Sequence, residues 1–154
     1  MNILTILKND HKELKQILSD IEDTTERAAK KRATLFAKFK EEIVAHARAE
    51  EKAVYDELLE VLKKDNRDTI LEGYEEHHLV DKWVPEIAKL SPTDESWAAK
   101  CKVLKEMLEH HIKEEEDEIF SLIRDEFDAD ALKTMGDRFE ALKMQIKNKA
   151  AKAA

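Results

Sequence analysis

Four of the six histidines in this chain stand in a duplicated frame. His11 is followed 35 positions later by His46, and His77 is followed 34 positions later by His111. From the second histidine of each pair the same string unrolls. One copy reads His46-x-x-x-Glu50-Glu51-x-x-Val54-Tyr55, the other His111-x-x-x-Glu115-Glu116-x-x-Ile119-Phe120. The leading histidines match by context as well. Leu14, Ile17 and Leu18 follow His11 at +3, +6 and +7, and Val80, Trp83 and Val84 follow His77 at the same offsets. The chain therefore repeats itself at the level of a helical hairpin. Residues i and i+4 share one face of an α-helix, so His46 projects with Glu50 and His111 with Glu115. Apolar neighbours turn that face inward, where a carboxylate without a partner is costly. Two such pairs and two further histidines need a common compensating charge, and a pair of metal ions supplies it. Imidazole and carboxylate donors without thiolate suit iron, with manganese or zinc as lesser candidates.

The remaining candidates are sorted by the same frame. His77 is chosen over His78 because only His77 places apolar residues at all three offsets, and His111 over His110 by its match to His46. His78 and His110 are expected at the edge of the site or on the surface, and Glu51 and Glu116 in solvent. Tyr55 lies nine residues after His46, a spacing that an ideal helix turns away from the ligand face, so it is assigned to packing. Trp83, Trp97 and the four methionines are expected to fill core, and Cys101 to be an inert buried thiol.

Helices are the elements that must position these groups. Five stretches carry apolar residues at helical spacing. They run from about Ile3 to Ile21, Arg27 or a little later to Leu62, Asp68 to Leu90, Ser91 to Phe127, and Ala129 to Lys149. Pro85 should kink the third or loosen its last turn. Ser91-Pro92-Thr93-Asp94 predicts the fourth start, with serine as N-cap and proline at the first helical position. The fifth should break or bend near Gly136. Short connections between long helices make neighbours antiparallel. The expected fold is all-α, an up-down-up-down four-helix bundle with an additional C-terminal helix, as a single domain over 1–154. Equal depth of the histidines requires Glu22 to about Lys31 to be partly loop.

Composition agrees. Two glycines and two prolines in 154 residues leave too few turn residues for a many-stranded sheet. Charged residues make up 40% and hydrophobic ones 42%, the mix of amphipathic helices with solvated outer faces. The net charge of -8 argues against nucleic acid or an anionic membrane as partner. No apolar run is long enough to span a bilayer, and the first residues lack a cleavable-signal layout. The lone cysteine forms no disulfide framework, so a reducing cytoplasm is expected. Lys143, Lys147, Lys149 and Lys152 read as the favourable cationic end of the last helix. Only Glu75-x-x-His78 fits the Glu-x-x-His signature of ferritin-type carboxylate oxidases, which need it twice.

The repeated strings, together with Asp10-His11, make the whole chain resemble the haemerythrin family, in particular the bacterial HHE cation-binding domains. The resemblance implies two irons bridged by oxo or hydroxo, with His11, His46, His77 and His111 each binding one iron and Glu50 and Glu115 bridging them. It implies a small ligand such as O2, hydrogen peroxide or NO; a monomer or weak homo-oligomer is expected. Oxygen or iron sensing or storage without turnover is the alternative. The oxygen carriers of the family have a further histidine one turn before the third-helix ligand, where this chain has Gly73. With that ligand missing, roughly two of the twelve positions around two six-coordinate irons stay open or hold water, unless Tyr74, His78 or His110 fills one, which favours reaction with peroxide, NO or oxygen over reversible carriage.

Overall fold

The computed structural model describes residues 1–153, and every regular element among them is helical. In chain order they are α1 (Ile3–Glu22), α2 (Ala29–Glu50), α3 (Asp56–Val61), α4 (Lys64–Ala88), α5 (Glu95–Glu114), α6 (Phe120–Glu126) and α7 (Ala129–Ala153). α2 runs into α3, and α5 into α6, through one wide turn each, at Glu51–Tyr55 and Glu115–Ile119. In each wide turn the following residue donates five residues back, Asp56 N–H to the Glu51 carbonyl and Phe120 N–H to the Glu115 carbonyl. Such i→i+5 turns insert one residue into an α-helix and recur at functional sites. They sit at the same place in both copies of the repeated string.

Local chemistry sets the ends. Asn2 caps α1, its side chain accepting from Thr5 N–H at 3.1 Å. The chain between α1 and α2 is irregular apart from one tight turn at Glu26–Ala28, the partial loop that equal depth requires. Ser91 is not the cap of the fourth stretch. It opens a turn in which Asp94 N–H donates to its carbonyl, and Asp94 caps α5 by accepting from Ser96 N–H at 2.9 Å. A carboxylate at the N-cap answers the free N–H groups of the first turn, and the serine, already used in the turn, does not. Buried Arg32 ties the two connections at this end of the molecule. It donates to Thr24 Oγ1 and carbonyl and to the Pro92 carbonyl, with its guanidinium 5.1 Å from the Trp97 ring.

Helix α7 is continuous through Gly136, contrary to the expected break. A Cβ there would lie 2.7 Å from the Met1 carbonyl and 2.9 Å from Ile6 Cδ1. The glycine serves close approach of α7 to the start of α1. α7 packs along α1 and α2. Of the methionines only Met135 is buried, while Met1 and Met144 are exposed. Trp97 and Cys101 are core, and burial pushes the Cys101 thiol up to about 12. Trp83 is half-buried beneath the Lys100 ammonium.

The core is divided. One apolar cluster holds Ile3, Leu7, Val54, Ile70, Phe120 and Phe139, among others. The other holds Leu14, Phe39, Ile43, Val80, Leu108 and Trp97. Between Leu7 and Leu14 on α1 stands His11, between Ile43 and Val54 stand His46 and Glu50, and between Ile70 and Val80 stands His77. The polar residues occupy one level, closed above and below by hydrocarbon.

Candidate metal centre

At that level His11, His46, Glu50, His77, His111 and Glu115 are all buried, none more than 6% exposed. They come from α1, α2, α4 and α5 and from the start of the second wide turn. The rings pair by half. His11 and His46 have centroids 5.2 Å apart, and His77 and His111 have centroids 5.0 Å apart. Each glutamate spans the halves. Glu50 lies 3.4 Å from His46 Nε2 and 3.2 Å from His77 Nε2. Glu115 lies 3.4 Å from both His11 Nε2 and His111 Nε2. His11, His46 and Glu50 bring ligand atoms within 4.8 Å of one another, as do Glu50, His77 and His111.

The opposite ring nitrogen of every histidine is held by a carboxylate. His46 Nδ1 meets Asp10 at 3.0 Å, His11 Nδ1 meets Glu116 at 2.8 Å, His77 Nδ1 meets Glu51 at 2.7 Å, and His111 Nδ1 meets Glu76 at 2.9 Å. A proton kept on Nδ1 by its carboxylate leaves the Nε2 lone pair facing inward, the usual arrangement behind a metal-ligating histidine. Glu51 and Glu116 are therefore not simply solvated. Each follows Glu50 or Glu115 by one residue and reaches a histidine on another helix, which the repeated Glu-Glu pair could have suggested.

What faces inward is unanswered. His11 Nε2, His111 Nε2 and both carboxylate oxygens of Glu50 and of Glu115 are buried without a hydrogen-bond partner. Each buried polar atom so left costs about 1–3 kcal/mol, and native structures tolerate few. Nitrogen and oxygen donors converging from several helices, with no thiolate, fit divalent or trivalent iron, manganese or zinc. Without such an ion the cluster compensates itself with protons. Burial alone would lower His46, but Glu50 and Asp10 outweigh it and raise it to about 9. Against the same burial, Glu50 and Glu51 raise His77 to about 10. Glu50 is held well below the carboxylate range by His46 and His77 despite burial, whereas burial and the Glu50 charge push Glu115 up.

Tyr55 packs in the core, as assigned, and its ring also lies against buried His77. The wide turn adds a residue between Glu50 and Tyr55, and groups five apart align on such a turn. The Tyr55 ring stacks on His77 at 5.3 Å and 14°, and its hydroxyl is buried without a partner. Burial and the charges of Glu115 and Glu50 drive its pKa upward. Gly73 makes the room, since a Cβ there would lie 2.8 Å from the Tyr55 hydroxyl. An ideal-helix reading of the spacing could not see this. The Phe120 ring, at the equivalent place in the other copy, stacks on His11 at 6.2 Å and 22°. His78 and His110 project outward, with side chains 59% and 66% exposed. Glu75 is exposed beside His78, so the single Glu-x-x-His string lies on the surface.

Residues 2–123 match the family model described as Hemerythrin HHE cation binding domain. The chain belongs to this family. Its fold is that of haemerythrin-like proteins. A hemerythrin HHE cation binding domain-containing protein from Mycobacterium kansasii has a crystal structure that superposes with a TM-score of 0.83, covering 98% of this chain and 90% of that one at 20% identity. A DNA nickase of Nostoc sp. (strain PCC 7120 / SAG 25.82 / UTEX 2576) is 20% identical over 149 residues, 97% of this chain and 41% of that protein. The chain thus spans about two fifths of the length of that relative. α7 lies beyond the segment that matches the family model. No helix among the described residues is long and apolar enough to cross a membrane.

Proposed function

We propose that this HHE domain holds two irons through His11, His46, His77, His111, Glu50 and Glu115, and there binds or reacts with a small oxygen-derived ligand, O2, hydrogen peroxide or NO. The observation that carries the reading is the inward set of His11 Nε2, His111 Nε2 and the Glu50 and Glu115 carboxylate oxygens without hydrogen-bond partners, with His11, His46, His77 and His111 each held from behind by a carboxylate. His11 and His46 would hold one ion and His77 and His111 the other, with Glu50 and Glu115 bridging, as the ring pairs and glutamate distances suggest. The four rods α1, α2–α3, α4 and α5–α6 would alternate in direction, with α7 as the additional helix. A bound iron pair supplies two electrons and exchangeable coordination positions.

The chain's own residues set what reaches such a pair. The histidines border a cavity of about 10 Å³ walled by Leu14, Ile43, Val80, Leu108 and Ile112. That volume is about what one water-sized group needs, which favours a very small ligand over an organic substrate. The hydrocarbon wall excludes bulk water and strengthens the electrostatics within. The buried Tyr55 hydroxyl faces the charges of the two glutamates and can donate a hydrogen bond, or a ligand atom, on the side where the oxygen carriers have a further histidine. We place the domain over residues 1–154, monomeric or weakly self-associating, in a reducing cytoplasm. The buried thiol of Cys101 and the net charge of -8 support that setting and disfavour nucleic acid as partner.

Metal analysis and absorption spectra of protein from iron-rich culture, before and after reduction and re-exposure to oxygen, test the reading. Two irons per chain and a near-ultraviolet charge-transfer band that reduction removes are the expected result. Protein given ferrous salt anaerobically that keeps no stoichiometric metal would overturn it. Metal-dependent gas evolution from hydrogen peroxide would establish turnover. Sensing or storage without turnover has one observation in its favour, the direct contact of α7 with the site through Phe139 and Lys143. Occupancy-dependent protease cleavage without peroxide loss would decide for it.

A further inference from the structure

The last helix, outside the family-matched segment, reaches the His11–His46 half of the site through two side chains, Lys143 and Phe139. Lys143 Nζ donates to Asp10 Oδ2 at 2.8 Å, and that same oxygen meets His46 Nδ1 at 3.0 Å. The ammonium also lies 3.3 Å from Glu42, on α2 one turn before His46. One turn before Lys143, Phe139 is fully buried and packs edge-on against the His46 ring at 5.6 Å. α7 is brought this close by Gly136, where a side chain would meet the Met1 carbonyl.

The carboxylate behind each histidine is held differently. Glu51, behind His77, is joined by Arg48 at 3.0 Å, a residue three positions away on the same rod. Glu76, behind His111, and Glu116, behind His11, have no lysine or arginine within ion-pair distance among the described residues. Asp10 alone is fixed by a cation from a helix remote in sequence, 133 positions on. Lys143 and Asp10 are both mostly buried, at 17% and 13% exposure, so the pair is little screened and its geometry is held. A carboxylate so fixed keeps the His46 proton on Nδ1 and the ring pointed inward.

We propose that α7 is a working part of the metal centre. Lys143 is a positioning residue that acts through Asp10 on His46, and Phe139 seals that ring, so that retention of the ion on the His11–His46 half depends on α7 while the His77–His111 half stands without it. This rests on the two-ion reading above, and the test separates the two.

The full chain would be loaded with ferrous iron and challenged with a chelator, following the iron released per chain against time. Wild type should start near two irons per chain. In Lys143→Met one iron should leave about 10- to 100-fold faster than in wild type and the second at the wild-type rate, the loss typical of removing a partner behind a metal ligand. Lys143→Arg should restore most of the retention. Lys147→Met is the matched control, because Lys147 pairs with Glu42 from the same helix but does not touch Asp10. It removes the same charge and should release both irons at the wild-type rates. Circular dichroism on each variant reports whether the helices persist. Equal release from Lys143→Met and wild type overturns the proposal, as does equal acceleration by Lys143→Met and Lys147→Met. Wild type that holds no iron overturns the di-iron reading instead.

Discussion

The two halves of the site are built from one repeated string yet differ in what stands behind it. On the His77–His111 side, Gly73 opens a space that the Tyr55 hydroxyl fills. On the His11–His46 side, the position four before the leading histidine is Leu7, and the residue matching Tyr55 is Phe120. Both are buried in one apolar cluster. One side therefore ends in a phenol with an unmet hydrogen bond and the other in hydrocarbon. The halves differ again outside, where α7 packs Phe139 against His46 and Lys143 fixes Asp10, while Glu76, behind His111, has no lysine or arginine within ion-pair distance among the described residues. Duplication supplied a symmetric set of buried histidines and glutamates, and a few residues off the frame made the two halves unequal.

Removing what the halves share should have the largest effect. Glu50→Ala or Glu115→Ala should abolish stoichiometric binding of both irons with helicity retained, as metal analysis and circular dichroism would show. If only one ion were lost, the glutamates would not bridge. His46→Ala and His77→Ala should each lose one ion first, and release kinetics would show whether the two losses differ.

Next come the features that make the halves unequal. Gly136→Ala drives a methyl into the Met1 carbonyl and should destabilise by about 1–3 kcal/mol in thermal or denaturant unfolding. Its metal defect should resemble that of Lys143→Met, since both loosen α7 from α1. Gly73→Ala crowds the Tyr55 ring, at roughly 1–3 kcal/mol of overpacking against up to about 1 kcal/mol of gained helix propensity. It should destabilise the wild type and do so less in a Tyr55→Phe background, where the closest contact is gone. A double-mutant cycle measures that difference. Tyr55→Phe itself should alter the absorption spectrum or peroxide reactivity of the iron-loaded protein, and Phe120→Leu should leave both nearly unchanged. The smallest effect belongs to His78→Ala and His110→Ala, which should leave metal content at the wild-type level because both side chains face solvent.

How much of this could be read beforehand follows from what repeats. Two copies of His-x-x-x-Glu with two leading histidines in matched apolar frames identify the six inward residues without coordinates, because helical periodicity alone aligns i with i+4. The same periodicity turned Tyr55 away from His77, against which its ring stacks. An inserted residue in the helix shifts everything after it, and nothing in the local propensities of Glu51–Tyr55 announces the wide turn. It also left Glu51 and Glu116 in solvent, since their histidine partners lie on other helices. Ser91 was the expected cap, and the hydrogen bonds put the cap at Asp94 instead.

The chain by itself determined an all-helical fold and a set of nitrogen and oxygen donors suited to a metal, aligned on single helix faces by their spacing. These depend on spacing within single helices, which the order of residues states outright. Tertiary structure decided which histidines pair, which carboxylate stands behind each, and that Lys143 serves Asp10 rather than merely ending a helix. Those depend on contacts between residues up to 133 positions apart, and such contacts exist only once the helices have packed.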